Sequence, residues 1–301
     1  VFQAIADKAS QFFAGPQTDT RRIFHGRGHL HPGLEHINID WYPPVCLITT
    51  YAEIEDTDAL SAAILPHDRT AQIQCLLLQY RNRKGTPAIS LLGEMRQHTV
   101  VTENGLRFEV QPGVNQNAGL FLDMSPLRSW LKANSDGKNL LNLFAYTCSL
   151  SVAALAGHAS QVVSVDMSRP SIHWGERNHA LNRHDMNRVR SIPHNLFRSW
   201  GRIKQFGRYD TIIIDPPSRQ RGSFDAEKNY GAVLKKLSQL AKPGADVIAT
   251  INSPYLGEDF LPHLFNRWAP KCSFVEMMPV APEFADKFPE RGLKIYHFRS
   301  A

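Results

Sequence analysis

The feature that most constrains this chain is a rhythm. From residue 139 onward, short apolar runs recur: NLLNLF (139–144), QVVSVD (161–166), RVRSIP (188–193), YDTIIID (209–215) and DVIATIN (246–252). Helical spacing fills 150–157, 169–182, 225–241 and 257–268, with one more helix expected at 125–133. A strand that is apolar along its whole length, rather than at every second residue, has both faces covered. Strands of that kind alternating with helices describe a parallel sheet wrapped on both sides, an α/β fold. CSFVEMMPV (272–280) and LKIYHFR (293–299) read as two further strands, expected as an antiparallel pair at one sheet edge. The total is a mostly parallel, seven-stranded sheet.

The chain before this rhythm is of another kind. Residues 1–14 have helical spacing with Phe2, Ile5, Ala9, Phe12 and Phe13 on one side. A loop rich in Gly, His and Pro follows at 25–33. Strands are expected at 45–51 and 72–80, with a helix at 57–65. VVTENGLRFEV (100–110) is a hairpin pattern, because Asn104-Gly105 supplies the positive φ of a tight turn. The break at Pro112-Gly113 then divides a small α+β domain (1–112) from an α/β domain (113–301).

Charge follows the same division. Residues 1–112 carry 10 Lys and Arg against 12 Asp and Glu, and residues 113–301 carry 24 against 16. The excess is densest from Arg183 to Arg221, where nine cationic residues meet three aspartates. Such a run is either a phosphate footprint or a solvated face. The four cysteines (46, 75, 148 and 272) include no CxxC pair, which favours a reducing compartment over a disulfide or zinc framework. The opening residues show no secretory pattern and no apolar run spans a bilayer, so a cytoplasmic location is expected.

In a parallel sheet of this type, ligands bind at the carboxyl ends of the strands. Three strand ends carry suggestive residues. The loop Ala145-Tyr146-Thr147-Cys148-Ser149 follows the first run. Asp166 ends the second, 19 residues after Thr147, where an acid can accept hydrogen bonds from both ribose hydroxyls. Ser168 beyond it suits a helix cap, with Pro170 in the first turn. Asp215-Pro216-Pro217-Ser218 ends the fourth, and two prolines after an acid stiffen the lip. Each feature alone has a plain structural reading as cap or turn; their order in one αβ series gives them weight.

NLFAYTCSLSVAALAGHASQVVSVDMS followed by YDTIIIDPPS resembles the bacterial 23S ribosomal RNA large-subunit methyltransferases, in the branch that makes 7-methylguanine or 5-methylcytosine. NGLRFEV, AGLFLDMSPLR and FPERGLKIYHFR match further patterns of that family. The resemblance implies a Rossmann-like class I methyltransferase domain that uses S-adenosyl-L-methionine, preceded by a small domain that helps hold RNA. It places Phe121 and Asp123, with Arg128 nearby, at the cofactor pocket. Phe144, Ala145, Tyr146, Thr147, Cys148 and Ser149 wrap the methionine part, with Asn142 at their border. Asp166, with Met167 and Ser168, holds the ribose, Asn195 faces the adenine amino group, and Asp215 sits beside the transferable methyl. The chain departs from the family at three points: Cys148 replaces a Gly, Asn195 an acid and Ser125 an Arg.

The acceptor atom is argued from chemistry. Cytosine C5 needs a Cys thiolate added at C6 first. In 5-methylcytosine relatives that Cys follows the fifth strand, where this chain has Thr250-Ile251-Asn252-Ser253-Pro254. Guanine N7 carries an exposed lone pair and needs no base, and Asn252 resembles the asparagines of 7-methylguanine relatives. The residues expected at the chemistry are therefore Asp215, Pro216, Pro217 and Asn252. Arg219 and Arg221 are either phosphate contacts or loop charges. His25, His29, His31 and His36 crowd one loop, but no second cluster completes a metal site. No metal is expected, and the His25–Gly28 loop is taken as a structured loop or an RNA contact. Competing readings are a methyltransferase fold that grips RNA without turnover, and a methyltransferase for a protein or small molecule.

Overall fold

The structure is a computed structural model that describes residues 2–220 and 224–301. It forms two compact units, one running to Ser125 and joined by Ala281–Phe288, the other made of Pro126–Val280 and Pro289–Ala301. The division lies beyond Pro112-Gly113 because the chain after that break stays on the first unit. The Gln111 N–H bonds the Ala118 carbonyl at 2.7 Å. A Cβ on Gly113 would stand 3.0 Å from Leu77 and 3.1 Å from Ala88.

In the first unit, β1 (Arg21–His25), β2 (Ile37–Tyr42), β3 (Val45–Thr50), β4 (Cys75–Tyr80) and β5 (Ala88–Leu92) form one sheet in chain order. Only the β3–β4 pair is parallel. Helix α1 (Gln3–Phe12) buries Ile5 and Ala9 in the same core as Ile39, Trp41 and Ile48, and α2 (Thr57–Ala62) adds Leu60. β6 (Thr99–Glu103) and β7 (Leu106–Val110) pair around Asn104 (φ 51°) and Gly105 (φ 77°), the turn that Asn-Gly predicts.

The histidine-rich loop has a packing role in this unit. His25 meets the Phe284 ring at 5.4 Å, and His29 meets Phe288 at 6.1 Å. His31 lies against Phe24 at 4.8 Å, and the Arg22 guanidinium sits 4.3 Å above Phe284. The Lys287 N–H bonds the Gly28 carbonyl, and a Cβ on Gly28 would come 2.2 Å from the Ala285 carbonyl oxygen. Glycine is therefore required where segment 281–288 crosses the loop.

The second unit carries the α/β rhythm. Its strands are β8 (Asn139–Leu143), β9 (Gln161–Asp166), β10 (Val189–Pro193), β11 (Tyr209–Ile214), β14 (Ala241–Asn252), β15 (Cys272–Met278) and β16 (Leu293–Ser300), with a short pair β12 (Arg219–Gln220) and β13 (Phe224–Asp225) outside the sheet. The order is β10-β9-β8-β11-β14-β16-β15, and β16 alone runs against its neighbours. The two tail strands pair antiparallel, but β16 inserts beside β14 and leaves β15 as the edge. Helices are α3 (Ser125–Asn134), α4 (Ser149–Ala156), α5 (Arg169–Leu181), α6 (Trp200–Gln205), α7 (Ala226–Leu234), α8 (Leu237–Leu240) and α9 (Phe260–Trp268). The helix expected over 225–241 is thus two pieces.

Alternate residues of the strands sort the layers. Leu141, Leu143, Val163, Val165, Ile212 and Ile214 face a core filled from α6 to α9 by Ile203, Tyr230, Leu237 and Phe265. The other face carries polar residues too. Asn142 lies in register with Ser164, and the Asn142 amide donates to Ser151 Oγ (3.0 Å), which pairs with Ser164 Oγ (2.7 Å). Among the described residues, no helix is long and apolar enough to cross a membrane.

At the end of α5, His179 Nδ1 and His184 Nδ1 stand 3.0 Å apart, a bond that requires at least one neutral ring. Burial, reinforced by neighbouring positive charge, lowers His179 to about 3 and His184 to about 4. Both values lie below the unfolded value, so this contribution is intact above about pH 6.5 and lost as pH falls toward 4. The urea midpoint should decline between pH 6.5 and 4.5, and His184→Gln should flatten that decline; parallel curves would show that the pair does not control it.

Candidate active site

The order of the sheet reverses between β8 and β11: the chain leaves β8 toward β9 on one side and leaves β11 toward β14 on the other. In sheets of this kind such a reversal is where the loops part and ligands bind, at the carboxyl edge. Three of the expected strand ends, Phe144–Ser149, Asp166 and Asp215–Ser218, lie at that edge.

The loop after β8 lacks glycine yet is folded as if it had several. Phe144 (φ 62°), Tyr146 (φ 47°) and Cys148 (φ 60°) are all left-handed. That conformation costs a non-glycine residue roughly 1–2 kcal/mol. Backbone bonds hold it: the Ala145 N–H donates to Val165 O (3.0 Å) and the Cys148 N–H to Ala145 O (2.7 Å). Asp166 binds it from β9, because Oδ2 accepts the Tyr146 N–H (2.9 Å) while Oδ1 accepts the Ser168 N–H (2.8 Å). Burial raises the Asp166 pKa, against the lowering effect of those two donors. Ser168 in turn caps α5 through the Ser171 N–H (3.3 Å), and Met167 between them is exposed. From α3, buried Arg128 reaches Ser149 Oγ at 3.4 Å, and the Asn178 amide donates to the Thr147 carbonyl at 3.0 Å.

Asp215 follows β11, and its Oδ1 accepts a hydrogen bond from the Thr250 hydroxyl of β14. The buried Tyr230 hydroxyl lies 3.2 Å from Ile214 O and 3.0 Å from Thr250 O, tying the two strand ends together. Pro216 is buried and Pro217 exposed. The Ser218 hydroxyl donates to the carbonyl of Asn252, whose residue is exposed at the end of β14. Expected residues Asp215, Pro216, Pro217 and Asn252 therefore share one lip. Thr250 and Tyr230 were not singled out from sequence. A threonine in an apolar strand beside Asp215 gave a faint signal, and Tyr230 in a helix gave none.

Other expected residues take different places. Asn142 belongs to the polar contact beneath α4 described above, and its residue is buried. Asn195 Oδ1 accepts the Phe197 N–H (2.9 Å), capping the turn after β10, so a ligand amino group would have to use its second lone pair. Phe121 and Asp123 lie in the first unit, where Asp123 acts electrostatically on Arg22.

No cysteine is poised as a nucleophile. Burial pushes the Cys148 thiol up to about 12 and raises Cys46, Cys75 and Cys272 as well. The basic run does not form one patch. Arg188 and Arg208 precede β10 and β11, so they lie at the amino edge, where Arg188 binds the Ser160 carbonyl (3.1 Å) and Arg208 the Ser238 carbonyl (2.8 Å). Arg198 and Arg219 follow those strands, on the carboxyl side, and are exposed. Arg221 lies outside the described residues.

A family model described as S-adenosylmethionine-dependent methyltransferase matches residues 21–299. The ribosomal RNA large subunit methyltransferase K/L of Hahella chejuensis is 31 % identical over 237 residues, covering 72 % of this chain and 32 % of that protein. Its namesake from Shewanella pealeana is 34 % identical over 183 residues, covering 59 % and 26 %. The chain thus spans about a third or less of the length of these relatives. A solved structure described as an S-adenosylmethionine-dependent methyltransferase from Streptococcus mutans covers 99 % of this chain and 79 % of its own, with TM-score 0.83 and 24 % identity, a likeness of fold.

Two predictions follow from the geometry. A Cβ on Gly175 of α5 would stand 2.3 Å from Cys148 Sγ and 2.7 Å from its Cβ. Gly175→Ala should destabilise by about 1–3 kcal/mol through overpacking, although alanine gains about 1 kcal/mol in helix propensity. Cys148→Gly should recover at least half of that loss in the double variant, as denaturant titration would measure; additive effects would refute the contact. Thr250→Val keeps shape and removes the hydroxyl held to Asp215. Turnover should fall about ten-fold with cofactor affinity nearly unchanged, and Thr250→Ser should restore it.

Proposed function

Because the chain belongs to the S-adenosylmethionine-dependent methyltransferase family, we propose that it methylates a base nitrogen of ribosomal RNA, with guanine N7 the favoured atom. The printed names of its relatives support the ribosomal RNA class. The observation that carries the choice of a nitrogen is which residues meet at the lip: Asp215 with Thr250, and Ser218 with Asn252, in a stretch 250–254 that holds no Cys.

The donor set fits the cofactor. Asp166 presents a carboxylate at the end of β9, and each oxygen that already accepts one N–H keeps a lone pair for a ribose hydroxyl. When bound, S-adenosyl-L-methionine supplies a methyl group already activated on a sulfonium. The protein's tasks are to hold, aim and stabilise charge. Asp166 and the loop Phe144–Ser149 hold the cofactor. Pro216 and Pro217 keep the lip rigid beside the acceptor. Methylation of N7 leaves positive charge on the guanine ring, and the fixed Asp215 carboxylate stabilises that charge as it develops. No proton has to be removed and no thiol adduct is formed. The first unit contributes to RNA holding, and exposed Arg198 and Arg219 contact phosphate at the carboxyl edge.

The test is nucleoside mass spectrometry of ribosomal RNA incubated with the chain and S-adenosyl-L-methionine. The expected product is 7-methylguanosine. Asp215→Ala should lower its rate by on the order of 100-fold while weakening cofactor binding far less. Replacement of all four cysteines with Ala or Ser should leave chemistry in place. Formation of 5-methylcytidine that depends on one Cys would overturn the nitrogen assignment.

A further inference from the structure

The loop after β14 carries Tyr255 with 90 % of its surface exposed, unusual for so large an aromatic ring. It is held by a structured turn. The Asn252 carbonyl is bonded by the Ser218 hydroxyl, so the turn begins tied to the Asp215-Pro-Pro-Ser lip. Ser253 is buried, and its Oγ accepts the Tyr255 N–H at 3.3 Å. Pro254 fixes the backbone between them. Further along, the Tyr296 hydroxyl donates to the Glu258 carbonyl at 2.7 Å. Neither residue following Pro217, Ser218 or Arg219, carries an aromatic ring to steady an acceptor base.

We propose that Tyr255 is the platform on which an unpaired base of the RNA acceptor stacks beside Asp215. This rests on the reading of the site as one that methylates RNA. Aromatic rings stack bases of any sequence because every base presents a π-face. A base inside a helix has both faces covered, so the ring selects a nucleotide that is single-stranded or splayed out. Tyr255 contributes a flat, amphipathic surface, while Asp215 and Asn252 meet the edge of the same base. The acceptor class is therefore an unpaired nucleotide in a loop, bulge or strand end.

The experiment uses the whole chain and a single-stranded RNA oligonucleotide containing 2-aminopurine, with a blunt duplex of the same sequence for comparison. The wild type should bind the single strand more tightly than the duplex and quench its fluorescence. Tyr255→Ala should weaken single-strand binding by about ten-fold or more and abolish the quench. Tyr255→Phe keeps the ring and should stay within about two-fold of the wild type, because stacking needs no hydroxyl. S-adenosylhomocysteine affinity should be equal in all three proteins. Tyr255→Ala that binds and quenches as the wild type does would overturn the platform while leaving the RNA reading standing. Absence of RNA binding by the wild type at low salt would overturn that reading and the platform with it.

Discussion

The site depends on one carboxylate that accepts two backbone N–H groups. Asp166 ends β9 and joins the loop leaving β8 to the turn opening α5, through Tyr146 and Ser168. Backbone bonding to β9 reaches the loop after β8 at Ala145, and beyond it the Asp166 side chain takes the next N–H, that of Tyr146. Charge-assisted bonds of this sort are stronger than neutral ones. Each carboxylate oxygen has a second lone pair beyond the one its N–H occupies. A structural cap and a ligand-binding acid are thus compatible roles for one residue, and the plain reading of Asp166 as a cap does not exclude the functional one.

The left-handed loop after β8 shows how strain is distributed. Phe144, Tyr146 and Cys148 all adopt positive φ without glycine. Their cost is offset by the Asp166 bonds, by Arg128 reaching Ser149 and by Asn178 holding the Thr147 carbonyl. The small residue that the family places at Cys148 has a counterpart across the contact. Gly175 of α5 leaves the room that the Cys148 side chain fills. The loop thus accommodates Cys148 without a glycine of its own.

Much of this arrangement was legible in the sequence. The five apolar runs became five parallel strands because continuous hydrophobicity reports burial on both faces, and Asn104-Gly105 made the expected hairpin. Strand-end residues were legible because topology fixes where ligands bind before any side chain is placed. Strands β1, β2 and β5 escaped notice: ISLL in β5 is largely exposed, β1 holds Arg21, Arg22 and His25 among its five residues, and Arg22 pairs with Asp40 of β2 at 2.7 Å. The crossing of 281–288 over the histidine-rich loop was also hidden, since it joins residues more than 250 positions apart through ring contacts that have no spacing signature. Thr250 and Tyr230 matter through a partner on another element, and partners on other elements are what periodicity cannot supply.

Charge was the weakest guide for the same reason. A run of cations is a statement about one dimension, whereas a sheet sends alternate segments to opposite edges. Arg188 and Arg208 belong to that run, but each precedes a strand and satisfies a carbonyl at the amino edge. Arg198 and Arg219 follow the same two strands and emerge at the carboxyl edge, exposed. A phosphate contact near the chemistry can involve the second pair and not the first, whatever the net charge of the segment. Of these four cations, Arg188 and Arg208 are held at the amino edge, and Arg198 and Arg219, exposed at the carboxyl edge, are the two placed to serve the proposed RNA contact.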